Sequence, residues 1–170
     1  MMEERTLEQE IADHAMNPKN YGELEDADGI GVGVDPSGVY MIFYIKVDGE
    51  TVGDVGYATS GSQDAITLGS MLSEMVKGDS IANALLTIRG LEEEVEGLYK
   101  EKEERIEALR ASGSKAKVSM KEQDNAAMTL AALSASITHY ERKLQGIDEE
   151  QFRITIEDRG GDHVKKGCVN

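Results

Sequence analysis

The hairpin between residues 39 and 59 is the feature that most restricts how this chain can fold. Val39 to Val47 is rich in β-branched and aromatic residues, Asp48-Gly49 is a two-residue turn signal, and Glu50 to Thr59 is a second extended run. The first run, VYMIFYIKV, is apolar almost throughout. Both of its faces should therefore be covered, by helices, by a neighbouring element or by a second subunit.

The returning strand continues through a small-residue turn into an amphipathic helix. Gly61-Ser62 has turn chemistry, and from Gln63 to Val76 the apolar residues recur at helical spacing. A helix start leaves backbone N–H groups unpaired and carries the positive end of the dipole, so a polar loop there can hold an anion, a metal-bound ligand or a thiolate. The alternative, which spacing alone favours, is that Ser62 simply caps the helix.

The remaining elements are predicted on either side of this unit. Thr6 to Met16 is a short helix that Asn17-Pro18 ends, and Ile30 to Val34, within GIGVGV, is an edge strand weakened by its glycines. The last helix runs from Lys121 to Leu144, and Phe152 to Ile156 alternates like a short strand. The pattern predicts an α+β domain.

Helix periodicity also predicts which side chains face the sheet. The apolar stripe of the last helix should pack on it, and His139 falls outside that stripe and should be solvated. The side chains expected to be buried against the sheet are Leu72, Met75, Leu133 and Ile137.

Residues 91 to 118 differ in composition from the rest of the chain. Between 91 and 110, eight glutamates and four basic residues surround a thin apolar stripe, and ASGSKAKV ends the segment. This pattern is typical of a long solvated helix stabilised by charge pairs three or four residues apart. Alternatively, the stripe is one half of a coiled-coil contact. We predict a single domain over 1–146 that carries this helical arm, with a partly flexible C-terminal extension over 147–170.

The charge and the cysteine count restrict partners and location. A net charge of −15 argues against non-specific binding to nucleic acid or anionic membranes. No apolar run approaches about 18 residues and the N-terminus is acidic, so we expect a cytoplasmic protein. The single cysteine, Cys168, allows neither an internal disulfide nor a thiolate cluster within one chain. The absence of a nucleophile elbow, phosphate-binding loop or dinucleotide fingerprint indicates that the protein is not an enzyme.

One set of polar residues lies where strand ends and helix starts are expected. Ser37 precedes the long strand, Ser62 and Asp64 begin the first amphipathic helix, and Asp124-Asn125 begins the last one. Such positions often converge at one end of an α+β layer, although spacing leaves their convergence open.

Four segments of the chain resemble a known family. They are DHAMNPKNYG (13–22), GVYMIFYIKVDGETVGDVGYAT (38–59), GSQDAI (61–66) with SMLSEMVKG (70–78), and AALSASITHYERK (131–143). Over residues 11 to 144 the chain is similar to the iron–sulfur cluster assembly scaffolds, namely the IscU type and the N-terminal domain of NifU. This resemblance implies a three-stranded antiparallel sheet with helices packed over it. The arm at 91–118 is then an insertion relative to the compact scaffolds.

The resemblance also implies that the cluster ligands have been replaced. Scaffolds of this family hold a cluster with three cysteines and an assisting aspartate, in CGD before the long strand, GCG before the first amphipathic helix, and a His-Cys pair opening the last helix. The three cysteine positions correspond here to Ser37, Ser62 and Asn125, and the assisting aspartate and the histidine to Val39 and Asp124. The proline-containing chaperone-recognition loop is also missing, since the matching stretch reads KAKVSMK.

These replacements leave two hypotheses for function. Cluster iron needs thiolates or close substitutes, which serine and asparagine are not at neutral pH. The first hypothesis is a scaffold paralogue without a cluster that binds a cysteine desulfurase, a true scaffold or another copy of itself, as a regulator or structural subunit of cluster biogenesis. The second is a site for a divalent hard metal or small ligand, in which Asp64, Asp124 and Asp35 supply oxygens. An enzyme with a new activity has neither base nor nucleophile to support it.

Overall fold

The computed structural model describes residues 4–161 of the chain. Its helices and strands, in chain order, are α1 Leu7–Met16, β1 Gly29–Val34, β2 Tyr40–Asp48, β3 Thr51–Thr59, α2 Gln63–Val76, α3 Ile81–Ala111, α4 Lys121–Leu144 and β4 Phe152–Thr155. In this part of the chain no helix combines the length and the apolarity needed to cross a membrane. His163 and Cys168 lie outside the described residues.

The four strands form one mixed sheet in the order β3-β2-β1-β4. The pairs β1–β2 and β2–β3 are antiparallel, and the predicted hairpin closes at Gly49, whose φ of 64° suits glycine. β4 instead runs parallel to β1, with Phe152 opposite Gly31. The α+β class is therefore confirmed, but a purely three-stranded antiparallel sheet is wrong, and β1 is not an edge strand. The fourth strand comes from the segment assigned to the C-terminal extension.

The glycines of β1 allow helix α4 to lie directly on the sheet. A Cβ atom at Gly31 would stand 2.1 Å from the backbone nitrogen of Ser136 and 2.2 Å from the carbonyl oxygen of Ala132. A Cβ atom at Gly33 would stand 2.2 Å from the carbonyl oxygen of Met128. Such distances are far below van der Waals contact, so the alternating glycines form the seat of α4.

The core is buried largely as the periodicity predicts. Leu72, Leu133 and Ile137 are buried, but Met75 is 48% exposed, and Val76, one turn after Leu72, joins the core cluster instead. His139 is 2% exposed, which contradicts the expected solvation. Its Nδ1 accepts a hydrogen bond from the backbone N–H of Ile30 (2.8 Å), and its Nε2–H donates to the carbonyl oxygen of Glu149 (2.8 Å). The ring tolerates burial because both nitrogens are paired.

The acidic segment is the second half of one continuous helix, α3, with no break at residue 91. Ser80 caps this helix, its hydroxyl accepting from the backbone N–H of Asn83 at 3.0 Å. Leu91 and Val95 pack against the core, and Tyr99 is 4% exposed. The apolar stripe therefore contacts its own domain at these positions, where a coiled coil would need it to face a partner. The arm lies along the domain.

Arg159 ties the segment after β4 to the arm. Its guanidinium donates to both carboxylate oxygens of Glu96 (2.6 and 2.9 Å) and to Glu103 (2.6 Å), and lies 4.7 Å from the centre of the Tyr99 ring. The hydrogen bonds from Arg159 hold the pKa of Glu96 below its usual value. Together with β4, these contacts join the described part of the C-terminal extension to the domain.

Candidate functional site

Six of the seven predicted site residues line one pocket of about 380 Å³. The pocket is built from the β1–β2 turn, the β3–α2 turn and the start of α4, and we call it the serine pocket. Asp64, in the first turn of α2, does not line it. The lining residues are Asp35, Ser37, Val39, Ser60, Gly61, Ser62, Ser119, Lys121, Asp124 and Asn125.

Asp35 organises the β1–β2 turn. Its Oδ1 accepts three hydrogen bonds, from the backbone N–H of Ser37 (2.8 Å), the hydroxyl of Ser37 (2.7 Å) and the backbone N–H of Val39 (2.9 Å). The sequence Asp35-Pro36-Ser37-Gly38 favours such a turn, since proline presets the second position and the aspartate accepts from the backbone that follows. The Ser37 hydroxyl is thereby held toward Asp35.

Ser62 occupies the N-cap position of α2 without capping it. Its backbone is extended and its side chain makes no hydrogen bond to the helix start, so the capping interpretation is wrong. The turn before it is held by other hydroxyls: Thr59 Oγ1 accepts from the backbone N–H of Gly61 (3.0 Å), and Ser60 Oγ accepts from that of Tyr40 (3.0 Å). The Ser62 hydroxyl therefore stands at the pocket wall and stabilises no helix end.

Asp124 lies in the first turn of α4 and is 2% exposed. Its Oδ1 accepts a 2.5 Å hydrogen bond from the hydroxyl of Tyr99, which the arm supplies. Burial and this hydrogen bond to Asp124 raise the pKa of Tyr99 above its usual value, so the phenol remains a donor. Our sequence reasoning missed Tyr99. The available signal was that it is the one aromatic residue in the arm, four positions after Val95 on the apolar stripe.

The polar side-chain groups that line the pocket are hydroxyl, carboxylate and amide groups, together with one ammonium group, that of Lys121. No histidine or thiol is among its described lining residues, so its hydroxyls have no neighbouring imidazole to act as a base. In residues 4–161, no group of three or more His, Cys, Asp or Glu side chains is placed to hold a metal ion. Asp35 Oδ1 already accepts three hydrogen bonds, and Lys121 adds a positive charge that would oppose a cation.

Comparison with known proteins places the chain among cluster-assembly relatives. The NifU-like N terminal domain family matches residues 6–146. The iron–sulfur cluster assembly scaffold protein IscU of Aquifex aeolicus is 45% identical over 98 residues, covering 55% of this chain and 62% of that protein. IscU 1 of Archaeoglobus fulgidus is 43% identical over 94 residues, covering 54% of this chain and 61% of that protein. The chain thus matches about three fifths of the length of these relatives.

A solved structure shows the same fold. The crystal structure of a nitrogen-fixing NifU-like protein (N-terminal) from Brucella abortus superposes with a TM-score of 0.56 at 17% identity, over 79% of this chain and 94% of that one. At this identity the likeness concerns the fold alone. The family match, in contrast, extends from the start of α1 to the end of α4. The chain therefore belongs to the NifU-like N-terminal domain family.

Proposed function

We propose that this protein keeps the fold of an iron–sulfur cluster assembly scaffold, has lost cluster ligation, and acts by binding a component of the assembly machinery. The observation that carries this proposal is the serine pocket. Ser37, Ser62 and Asn125, which the resemblance assigns to the cysteine positions, line one cavity in which the described side chains include no thiol. The partner is a cysteine desulfurase, a cysteine-bearing scaffold or a second copy of the chain.

The donor set explains why ligation would be lost. Iron–sulfur clusters are held by thiolates, with imidazole as the main substitute, and these are softer ligands than neutral hydroxyl or amide oxygen. In the serine pocket the Ser37 hydroxyl already donates to Asp35, and Val39 stands where the family has its assisting carboxylate. Neither the engaged Ser37 hydroxyl nor the apolar Val39 side chain favours iron binding. A role in binding needs only the retained surface, which is consistent with a protein that is not an enzyme.

Cluster reconstitution tests the loss of ligation. The unaltered protein, incubated anaerobically with iron and sulfide and then desalted, should show no stable visible chromophore. The variant carrying Ser37→Cys, Ser62→Cys and Asn125→Cys should retain one, because it restores three soft ligands in one pocket. A matched control makes the same kinds of substitution at Asn83, Ser112 and Ser134, which belong to α3, its C-terminal cap and α4 and do not line the pocket.

The same preparations test the binding role. Sedimentation velocity of the unaltered protein, alone and mixed with a cysteine desulfurase or a cysteine-bearing scaffold, should show a complex or concentration-dependent self-association. A stable cluster on the unaltered protein would overturn the loss of ligation. Failure to associate in every mixture would overturn the binding role.

A hard-metal site is the second candidate, because two buried carboxylates, Asp35 and Asp124, line the same pocket. Its support is weaker: Asp64, the third proposed ligand, lies outside the pocket. Stoichiometric zinc, iron or calcium in the purified protein, lost in Asp124→Asn and retained in Asp64→Asn, would favour this alternative.

A further inference from the structure

A second cavity, of about 390 Å³, lies apart from the serine pocket, between α3, α4 and the residues that form and follow β4. We call it the arm cavity, since the arm supplies one wall and the C-terminal extension another. Its polar rim includes Glu92, Glu96, Glu157 and Arg159. Its floor is apolar, formed by Val95, Leu130, Ala131, Ile154 and Ile156.

The rim is acidic once its internal pairs are counted. Arg159 is fully engaged, since its guanidinium donates to Glu96 and Glu103 and covers the Tyr99 ring. The other two rim carboxylates, Glu92 and Glu157, make no ion pair within 4.0 Å in the described residues. The pKa of Glu92 is raised by partial burial, and the nearby charge of Arg89 offsets part of that rise. The cavity therefore presents two carboxylates without a close ion pair above an apolar floor.

This combination selects one class of ligand. An anion would be repelled by the carboxylates, and a bare metal ion would find few donors on the apolar floor. A purely apolar molecule would further desolvate Glu92 without pairing it. An ammonium group on an unbranched hydrocarbon stem can pair with a carboxylate and bury its stem on the floor, as amphipathic side chains do. The volume is within the range of small-molecule sites, about 300–1,000 Å³.

We propose that the arm cavity binds a small aliphatic amine. Glu92 and Glu157 recognise its ammonium group, and Val95, Leu130 and Ile154 hold its stem. This site is independent of the proposed function, because it uses none of the residues that line the serine pocket.

The test is an amide chemical-shift titration of the isotope-labelled 170-residue chain with hexylamine. Saturable shifts are expected at Ala131, Ile154 and Ile156. Hexanol, which has the stem without the charge, and ammonium chloride, which has the charge without the stem, should each bind at least about fivefold more weakly, as the loss of a partly exposed charge pair or of the buried stem implies. Equal binding of hexanol, or no saturable shift at the cavity, would overturn the proposal.

Variants that each remove one carboxylate charge test which side chains bind the ammonium group. Glu92→Gln and Glu157→Gln preserve side-chain shape and should each weaken hexylamine binding about three- to fivefold. Glu93→Gln, the neighbouring position on α3 that does not line the cavity, should leave binding unchanged. An equal loss of hexylamine affinity in Glu93→Gln would show that binding depends only on net charge and would overturn the site. The proposal would also be overturned if a lysine-containing peptide shifted the same amides and hexylamine could not displace it. The cavity would then bind a protein partner and not a small amine.

Discussion

Tyr99 and Asp124 show how one buried hydrogen bond helps to join the arm to the serine pocket. A buried carboxylate is costly unless donors satisfy it, and the Tyr99 hydroxyl supplies one at 2.5 Å. The grouping of Ser37, Ser62 and Asn125 was predictable only through the family resemblance, because their spacing along the chain left their convergence open. Tyr99 was not, since periodicity places it on a stripe without saying which residue of α4 it meets.

Tyr99→Phe should lower the free energy of unfolding by about 1–3 kcal/mol, because it leaves a buried carboxylate oxygen without this donor. Urea denaturation followed by circular dichroism measures the change. The control is Tyr140→Phe on α4, whose hydroxyl makes no hydrogen bond within the described residues, and which should change stability by less than about 0.5 kcal/mol. Equal losses in both variants would show that the Tyr99–Asp124 bond contributes nothing specific.

Strand β1 and helix α4 show which parts of the fold local patterns can specify. The β2–β3 hairpin was predictable because its strands and Asp48-Gly49 turn are contiguous in sequence. The parallel pairing of β4 with β1 was not, because it joins segments more than 100 residues apart and depends on α4 lying between them in the chain. The prediction that β1 is an edge strand, which was based on its glycines, was wrong for a related reason. They weaken a strand taken alone, yet they admit α4 once the helix is in place.

Gly31→Ala should destabilise the protein by about 3 kcal/mol or more, since its Cβ would overlap the α4 backbone, which cannot move as a flexible side chain can. Gly53→Ala on β3 is the matched control: its Cβ would meet its nearest neighbour, the Cβ of Asp48, at 3.5 Å, an ordinary contact. It should be neutral or slightly stabilising. A small effect of Gly31→Ala on the urea midpoint would mean that α4 is not seated on β1 in solution.

At the scale of the whole molecule, the arm covers the core and supplies little of it. The main core cluster draws its buried residues from β2, β3, α2, α4 and the first turns of α3, while Leu91 and Val95 only pack against it. The family match includes the arm within residues 6–146 without assigning it a separate role. Whether the arm is a dispensable insertion remains a prediction.

Replacing residues 91–118 by a short glycine linker should leave a cooperatively folding domain with a lower urea midpoint. The core cluster survives, but Asp124 loses Tyr99 and Arg159 loses Glu96 and Glu103. Closing a loop of different length changes the free energy only slowly. A control that replaces only 112–118 keeps α3 and should stay closer to the unaltered midpoint. Loss of cooperative unfolding in the longer deletion would make the arm part of the core.

The two outer strands of the sheet limit how this protein can bind a partner. One outer strand, β4, is only four residues long, and the other, β3, is bridged by the chain at Asn20–Gly22, where Gly22 N–H donates to the Tyr57 carbonyl at 2.7 Å. Exposed strand edges are the usual templates for adding a foreign strand, and short or covered edges suppress that pairing. A second copy or an assembly partner would therefore have to recognise side chains on helices and turns, where recognition depends on residue identity and not on a shared backbone ladder.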